Sequence, residues 1–291
     1  MLEPMSAPRI SAVALLVLAI GVSDCNAQET AAESTTKVVL ASEIQWQPLN
    51  PARGNKGPQA GTLWGDQTKP GASGFLVEFV DGFSSPPHIH NITYRGVVIA
   101  GGLYNGAADV EPMWMPAGSY WTQPVGQPHI TAARGFSMAY IEIHDGPYLV
   151  LPTEEAFDRG ERPVNVDASN IVWLDASSSS WIKQAAETVV DDGATIAFLW
   201  GKPQQEQLSG SLIRLPAGFM GTLQSHGSTF RAVTIEGQVG YQISGAAESK
   251  TLEPGSYFGG KGESVHRISS SASGESVIYI HIDGNYELVS E

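Results

Sequence analysis

Three histidines in the first half of the chain have the residue type and spacing needed to bind a metal ion. His88 and His90 are separated by one residue, and His129 follows 39 residues after His90. Side chains two positions apart on a β-strand leave the same face, so the imidazoles of His88 and His90 can reach one ion. Neutral imidazoles bind Zn, Fe, Cu and Ni, so the spacing predicts a transition-metal site without choosing the metal.

Glycine and proline residues stand at fixed distances from these histidines. The first motif is Gly-x5-His-x-His with a later glycine, and the second is Gly-x5-Pro-x-Gly-x2-His. Together they resemble the paired motifs of the cupin superfamily, which implies an all-β fold with the metal inside a jelly-roll-like barrel. The matching positions are Gly82, His88, His90 and Gly101 in the first motif, and Gly118, Pro124, Gly126 and His129 in the second.

The chain departs from the family pattern where a glutamate ligand is usual. Tyr94 stands at that position, with Arg95 one step on, and the second motif ends in Ala133 where Asn is common. Neither Tyr94 nor Arg95 is an ordinary ligand of a divalent ion. We therefore predict a site of three histidines without a carboxylate. Tyr94 itself could be a distant ligand, a hydrogen-bond donor to substrate, or an aromatic wall.

The elements that must position these residues are short, strand-length apolar runs, such as residues 75–79, 97–100 and 138–144. Gly, Pro, Asp or Asn separate them, and the chain of 291 residues contains 32 Gly and 18 Pro. No comparable stretch has a sustained helical period. This pattern predicts a turn-rich, all-β protein.

An internal repeat predicts two copies of one unit. Trp64 and Gly65 recur as Trp200 and Gly201, an offset of 136 residues, and the offset increases to 138 by Asp145. We therefore predict two tandem cupin domains in a bicupin arrangement. The predicted boundaries are 1–27 for a signal peptide, 28–36 for a flexible leader, 37–150 for cupin domain 1 with the metal site, 151–170 for a linker, and 171–291 for cupin domain 2.

The second copy retains fewer of the candidate ligands. Gln224 stands at the position of His88 and Phe230 at that of Tyr94, whereas His226 and His266 remain. Two ligands without a third make a weak site, so we predict a structural or degenerate pocket. Metal binding with help from Gln224 stays open as the alternative.

Two polar residues near the end of the first copy, Glu142 and His144, share one face of a predicted strand. One of them could orient a ligand imidazole by a hydrogen bond. At an offset of 138, their counterparts are the apolar Ile280 and Ile282. His281 is then expected to be a surface residue or a strand residue with its hydrogen bonds satisfied.

The N-terminus resembles a secretory signal. Arg9 precedes an apolar run over residues 10–22 that is too short for a membrane span, and small residues follow, so we expect cleavage after Ala27. The protein would then be secreted or periplasmic, without a transmembrane span in the mature chain. Lipidation of Cys25, the only cysteine, is the less favoured alternative because Asp24 precedes it.

Net charge limits the classes of partner. The chain carries a net charge of −14 and no basic run, so binding to nucleic acid is not expected. The expected partner is a small-molecule substrate or ligand. Self-association as a homodimer is compatible with the sequence and is not specified by it.

The predicted ligand set is similar to that of three-His cupin dioxygenases that cleave β-diketones. This resemblance implies one divalent metal, with Fe(II) favoured and Zn, Mn, Ni and Cu as alternatives, and O2-dependent cleavage of a small enolisable dicarbonyl substrate. His88, His90 and His129 would be the ligands. Residues expected to shape the pocket are Tyr94, Arg95, Trp121 and Phe136. The alternative from another class is a non-catalytic metal- or ligand-binding, or sensory, protein of the cell envelope.

Overall fold

Strands dominate the computed structural model, which describes Met1 and residues 36–183, 193–205, 207–243 and 248–291. The predicted signal peptide, apart from Met1, and most of the predicted leader lie outside the described residues, and so do Ala27 and Cys25. Five 3-10 helices are short: Ala41–Glu43, Pro51–Lys56, Thr153–Glu155, Ala168–Asn170 and Pro203–Gln205. In the part described, no helix is long and apolar enough to cross a bilayer. The all-β prediction is confirmed.

The strands follow the chain in two sets. Those of the first half, and of the segments before and after it, are β1 Lys37–Val39, β2 Gln47–Pro48, β3 Gln59–Trp64, β4 Gly71–Phe79, β5 Ile89–His90, β6 Tyr94–Gly106, β7 Met115–Pro116, β8 Tyr120–Gln123, β9 Ile130–Gly146, β10 Val150–Leu151 and β11 Val164–Val166. Those of the second half are β12 Ile182–Lys183, β13 Thr195–Gly201, β14 Ser209–Leu215, β15 Met220–Ser225, β16 Thr229–Glu236, β17 Val239–Ile243, β18 Lys250–Leu252, β19 Tyr257–Lys261, β20 Ser264–Ser270, β21 Ser276–Asp283 and β22 Tyr286–Ser290.

These strands form four sheets. The first half has an eight-stranded sheet, ordered β11-β8-β6-β9-β4-β3-β2 with β7 on β6, and a two-stranded sheet of β5 and β10. The second half has two six-stranded sheets, ordered β1-β19-β16-β21-β14-β13 and β12-β22-β15-β20-β17-β18. Most neighbouring strands are antiparallel, so one face of each sheet can form a barrel interior while the other packs elsewhere.

Strands β6 and β9 are the long central pair of the first half, and they bend together. Their register shifts twice, between Val98 and Gly102. Gly101 lies in this bend at φ 73°, and a Cβ there would collide with the carbonyl oxygen of Phe136. Only glycine tolerates that conformation and that close approach. The bend lets one strand supply both Tyr94 and, eleven residues later, Asn105 to the same cavity.

The strand that precedes each half pairs with the other half. β1 pairs with β19, and β11 pairs with β8. A 3-10 helix follows each of these strands, and the backbone N–H of Ala41 and of Ala168 donates to Ser256 Oγ and to Ser119 Oγ, at 3.0 Å in each case. The predicted boundaries remain a prediction. β1 lies within the range given to domain 1, and β11 within the linker.

Three apolar clusters form the core. One, with Phe75 and Val98, fills the first barrel, and a second, with Phe230 and Phe258, fills the second barrel. The third contains residues of both halves, including Leu76, Val97, Tyr140, Val233 and Tyr279. The halves therefore share a buried apolar interface formed by the outer faces of their sheets.

Candidate metal centre

The three predicted ligands lie side by side in the first barrel. His90 is on β5, and the backbones of His88 and His129 exchange two hydrogen bonds of 3.0 Å. The ring centroids lie 4.3 Å apart for His88 and His129, 5.0 Å for His88 and His90, and 5.2 Å for His90 and His129. One ligand nitrogen of each ring lies within 4.8 Å of the others. The structure brings together the set that the motifs indicated.

Backbone carbonyls fix the tautomer of all three rings. A carbonyl oxygen can only accept, so each Nδ1 carries the proton and each Nε2 keeps its lone pair. The hydrogen bonds are His88 Nδ1 to Pro86 O at 2.9 Å, His90 Nδ1 to Leu149 O at 2.8 Å, and His129 Nδ1 to Gln127 O at 3.2 Å. Metal-binding histidines are typically oriented in this way. The donor set therefore fits a divalent transition metal held by three Nε2 atoms.

Burial keeps these imidazoles neutral. It lowers the pKa of His129 to about 3 and that of His90 well below its usual range, and the neighbouring histidines add to both shifts. Burial also lowers the pKa of His88, the most exposed of the three at 8%. Only the neutral ring offers a lone pair to a metal, so all three are in the binding form at neutral pH.

Tyr94 lies against the triad and is held by a buried polar network. Its hydroxyl donates to Asn105 Oδ1 at 2.8 Å, and its oxygen lies 3.3 Å from His129 Nε2. Thr131 Oγ1 also donates to Asn105 Oδ1, while the Asn105 amide donates to Gln123. Burial raises the Tyr94 pKa far above its usual value. Tyr94 therefore stays protonated, with its O–H on Asn105 and oxygen lone pairs left on the triad side.

Tyr148 also contacts the triad, and its ring lies edge-on to the Tyr94 ring with centroids 5.5 Å apart. Its ring stacks on His90 with centroids 4.3 Å apart, and its hydroxyl donates to His90 Nε2 at 3.1 Å. Burial raises its pKa well above the usual value, so it too remains protonated. The hydroxyl therefore donates to the Nε2 lone pair of His90, which a metal would use. A bound metal would displace this hydrogen bond and leave the Tyr148 hydroxyl available to another acceptor.

A cavity of about 110 Å³ is lined by His88 and His90 of the triad. Most of its wall is apolar, as expected for a site that binds a small organic molecule. Both tyrosines, Asn105 and Thr131 provide the polar groups near the histidines. The apolar wall is formed mainly by Val77, Phe79, Phe83, Trp121, Ile141 and Val150.

Two of the four predicted pocket residues lie elsewhere. Tyr94 and Trp121 line the cavity, but Arg95 and Phe136 do not. Arg95 follows Tyr94 on β6 and so faces the other side of the sheet, where its guanidinium lies 4.0 Å above the Trp200 ring. Phe136 is 57% exposed beside Gly135, which has φ 72°. The pocket roles predicted for Arg95 and Phe136 are therefore corrected.

Glu142 and His144 do not orient a triad imidazole. They lie between the two halves in a cluster with His281. Gly74 pairs with Glu142, and its repeat partner Gly210 pairs with His281, so the counterpart of Glu142 is His281 rather than Ile280. The offset has grown to 139, and a slip of one residue exchanges the two faces of a strand. His281 is accordingly buried, 3% exposed, and is not a surface residue.

Hydrogen bonds in this cluster leave no ring nitrogen for a metal. Arg95 donates to His144 Nε2 at 2.7 Å, and Arg231 donates to His281 Nε2 at 3.4 Å. A guanidinium can only donate, so both rings carry their proton on Nδ1. His281 Nδ1 then donates to Glu142 Oε2 at 3.0 Å. We interpret the cluster as a hydrogen-bonded link between the halves.

The second barrel is filled where the first has its cavity. His226 is exposed, whereas His266 is buried, with Tyr241 Oη and Ser264 Oγ each 2.9 Å from one of its ring nitrogens. Phe230, at the Tyr94 position, stacks on His266 with ring centroids 5.0 Å apart. Within the described ranges, His226 and His266 belong to no cluster of three candidate ligands.

A family model described as a domain of unknown function, DUF4437, matches residues 37–289. The chain belongs to this family. A comparison with curated protein sequences finds no match to this DUF4437 chain.

Solved structures share the fold of this DUF4437 protein. A proposed dioxygenase from Nostoc punctiforme has a TM-score of 0.60 and 14% identity, over 87% of this chain and 84% of that one. An oxalate decarboxylase mutant from Bacillus subtilis has a TM-score of 0.52 and 15% identity, over 87% of this chain and 78% of that one. Vicilin from Corylus avellana has a TM-score of 0.54 and 11% identity, over 85% of each chain. At these identities the likeness concerns the fold. The predicted fold, two tandem cupin-like barrels, is confirmed.

The sequence motifs did not indicate several residues that line the cavity, among them Arg53, Asn105 and Tyr148. A signal for Tyr148 was present, because it recurs as Tyr286 at the same offset of 138 as Asp145. Asn105 corresponds to Tyr241 at offset 136, and nothing in that exchange indicates a site. Arg53 lies outside both motifs, in the segment Pro51–Lys56.

Proposed function

We propose that this protein is a metal-dependent, oxygenase-like cupin enzyme that acts on a small enolisable dicarbonyl compound. The observation that carries the proposal is the convergence of three neutral imidazoles, each with its Nδ1 proton on a carbonyl, two of which, His88 and His90, line an apolar cavity. Structural relatives described as a dioxygenase and a decarboxylase support a small-molecule enzyme. The proposal includes export from the cytoplasm, which rests on the N-terminal apolar run alone.

The roles of the ligands follow from their donor set. A divalent transition metal bound by His88, His90 and His129 would supply Lewis acidity for an enolate and, as Fe(II), reactivity with O2. With no carboxylate among the three ligands, the set adds no negative charge. Such a site favours an anionic, chelating substrate.

The cavity residues would orient that substrate and exclude water. Val77, Phe79 and Ile141 provide apolar wall, which strengthens polar contacts made inside the cavity. Tyr94 presents oxygen lone pairs toward the triad and can accept a hydrogen bond from an enol hydroxyl. The Tyr148 hydroxyl, next to Tyr94, is available as a donor. Both phenols stay protonated, so neither acts as a general base at neutral pH.

Oxygen uptake tests the proposal directly. The protein is loaded with Fe(II) and mixed with acetylacetone and a panel of related dicarbonyl compounds in an oxygen electrode. We expect substrate-dependent O2 consumption that is lost in His88→Ala and kept in His226→Ala, since His226 is exposed in the second barrel. One metal per chain with no turnover across the panel would contradict the proposal and favour the binding-protein alternative.

We expect Tyr94→Phe to lower kcat/KM by roughly 5–30-fold, the effect of losing one or two kcal/mol of hydrogen bonding. Phe230 occupies the equivalent position in the second barrel, so this position of the fold accepts phenylalanine, and Tyr94→Phe should fold normally. Metal content should be unchanged, because Tyr94 does not hold the ligands' Nδ1 atoms. Steady-state kinetics and metal analysis check both points.

The matched control for that variant is Tyr286→Phe, which removes a buried tyrosine hydroxyl bonded to Ser211 in the second barrel. It should lose some stability and keep its activity. Equal kcat/KM in Tyr94→Phe and wild type would remove Tyr94 from the proposed mechanism.

A further inference from the structure

The cavity of the first barrel differs from the rest of the molecule in its charge. The chain contains 30 Asp and Glu residues against 16 Lys and Arg, yet among the described residues no carboxylate lines this cavity. Within the same described part of the chain, the one permanently charged lining residue is Arg53. A metal on the triad would add positive charge at the base. The electrostatics of the cavity therefore favour an anion.

Arg53 is placed to contact a molecule that reaches the triad. It lies in the 3-10 segment Pro51–Lys56, between β2 and β3, and its side chain is exposed on the side of the cavity near His88. Burial is the main cause of the lowered His88 pKa, and the positive charge of Arg53 adds to it. Among the described residues, Arg53 has no ion-pair partner. Its guanidinium is thus available to a ligand.

The cavity wall also contains a buried side chain with a donor group. Trp121 is 2% exposed, and its indole N–H interacts with the Tyr94 hydroxyl, which partly offsets the effect of burial on the Tyr94 pKa. Arg53 is therefore the lining group that favours an anionic ligand over a hydrocarbon.

We propose that Arg53 is a specificity-determining residue that binds a carboxylate of the substrate while the carbonyl end of the same molecule faces the triad. This rests on the proposed function and narrows its substrate class to small enolisable oxo acids, in preference to neutral diketones. A guanidinium suits this role because its parallel N–H groups match the two oxygens of a carboxylate.

The test compares two probes of similar size, acetoacetate and acetylacetone, which differ in carrying a carboxylate or a second methyl ketone. Binding is measured by calorimetry on the Zn-loaded protein, because Zn has no redox chemistry with O2. Wild type should bind acetoacetate more tightly. Arg53→Gln should weaken acetoacetate binding by about 10–100-fold, and acetylacetone binding should change by less than about 2-fold.

Two further variants control the experiment. Lys56→Gln removes a positive charge from the same segment but outside the cavity lining, and should leave both affinities unchanged. Arg53→Lys should recover part of the acetoacetate affinity, since it restores the charge without the fork geometry. Arg53 is exposed, so the fold should be retained, and equal thermal midpoints of wild type and variants check this.

Equal affinities of wild type for both probes, or equal effects of Arg53→Gln on both, would overturn the inference. The proposed reaction can fail separately. Arg53-dependent binding of acetoacetate without O2 uptake would support the inference and contradict the oxygenase. Turnover of acetylacetone that is unchanged in Arg53→Gln, with no preference for acetoacetate, would do the reverse.

Discussion

His90→Ala will remove the metal from the first barrel. The site then has two imidazoles, and metal affinity should fall more than about 100-fold, since even hydrogen-bond partners of metal ligands are worth 10–100-fold. After loading and dialysis, elemental analysis should find about one metal per wild-type chain and almost none in the variant. Oxygen uptake should be lost with it, because every proposed role of the cavity depends on the loaded triad.

The control for this variant comes from the second histidine cluster. His144→Ala should retain the metal, because Arg95 occupies the Nε2 lone pair of His144 and its Nδ1 carries a proton. If His144→Ala loses the metal while His90→Ala keeps it, the hydrogen-bond assignment of both clusters is wrong.

Glu142→Gln should destabilise the fold by about 3–5 kcal/mol, because three buried donors and the nearby charge of Arg95 lose their carboxylate. Glu142 is 1% exposed and accepts from three groups: Tyr279 Oη at 2.8 Å, His281 Nδ1 at 3.0 Å and Tyr140 Oη at 3.1 Å. The glutamine amide NH2 would face at least one of these three donor groups. The substitution would also remove the buried negative charge near Arg95. The thermal midpoint should fall by roughly 6–20 °C, at 2–4 °C per kcal/mol.

The same residue predicts an acid dependence. Burial alone would raise the Glu142 pKa, but the contact with His281 and the charge of Arg95 outweigh it and lower the pKa to about 2. A carboxyl whose pKa is lower in the folded than in the unfolded protein stabilises the fold above the unfolded pKa, here 4.5, and this stabilisation is lost as the pH falls towards 2. It amounts to about 3 kcal/mol.

Thermal unfolding of wild type and Glu142→Gln between pH 7 and pH 2 measures this contribution. The difference between the two midpoints should be constant above about pH 5 and shrink below it. Metal content of the variant should match wild type, because Glu142 faces away from the triad. A difference below 1 kcal/mol at pH 7 would contradict the assigned role of Glu142 as a link between the halves.

The sequence predicted the part of the site that depends on local spacing. His88 and His90 are two residues apart, and His129 has its own motif, so periodicity and resemblance were enough to group them. Tyr94 and Trp121 were also placed correctly in the pocket. The same reasoning failed for Arg95, because adjacent strand residues face opposite sides and the motif does not say which side is the interior.

Other parts of the site depend on long-range geometry. The repeat offset at Glu142 is 139, whereas it is 138 at Asp145 three residues later, and this local difference hid the correspondence of Glu142 and His281. Arg53 lines the cavity from the segment that connects β2 and β3. Residue periodicity does not predict where such a connecting segment lies in the folded protein. Composition could not show that the described lining of the cavity has no Asp or Glu side chain, because the lining is formed by residues that the fold brings together.

The reciprocal pairing of β1 and β11 affects the order in which the molecule can be assembled. Lys37 is synthesised 222 residues before its partner Gly259. This edge of the second barrel therefore stays incomplete until Gly259 has been made, and pairing across such a separation is slow. A protein divided between the barrels would have to form both reciprocal pairs as a two-chain complex.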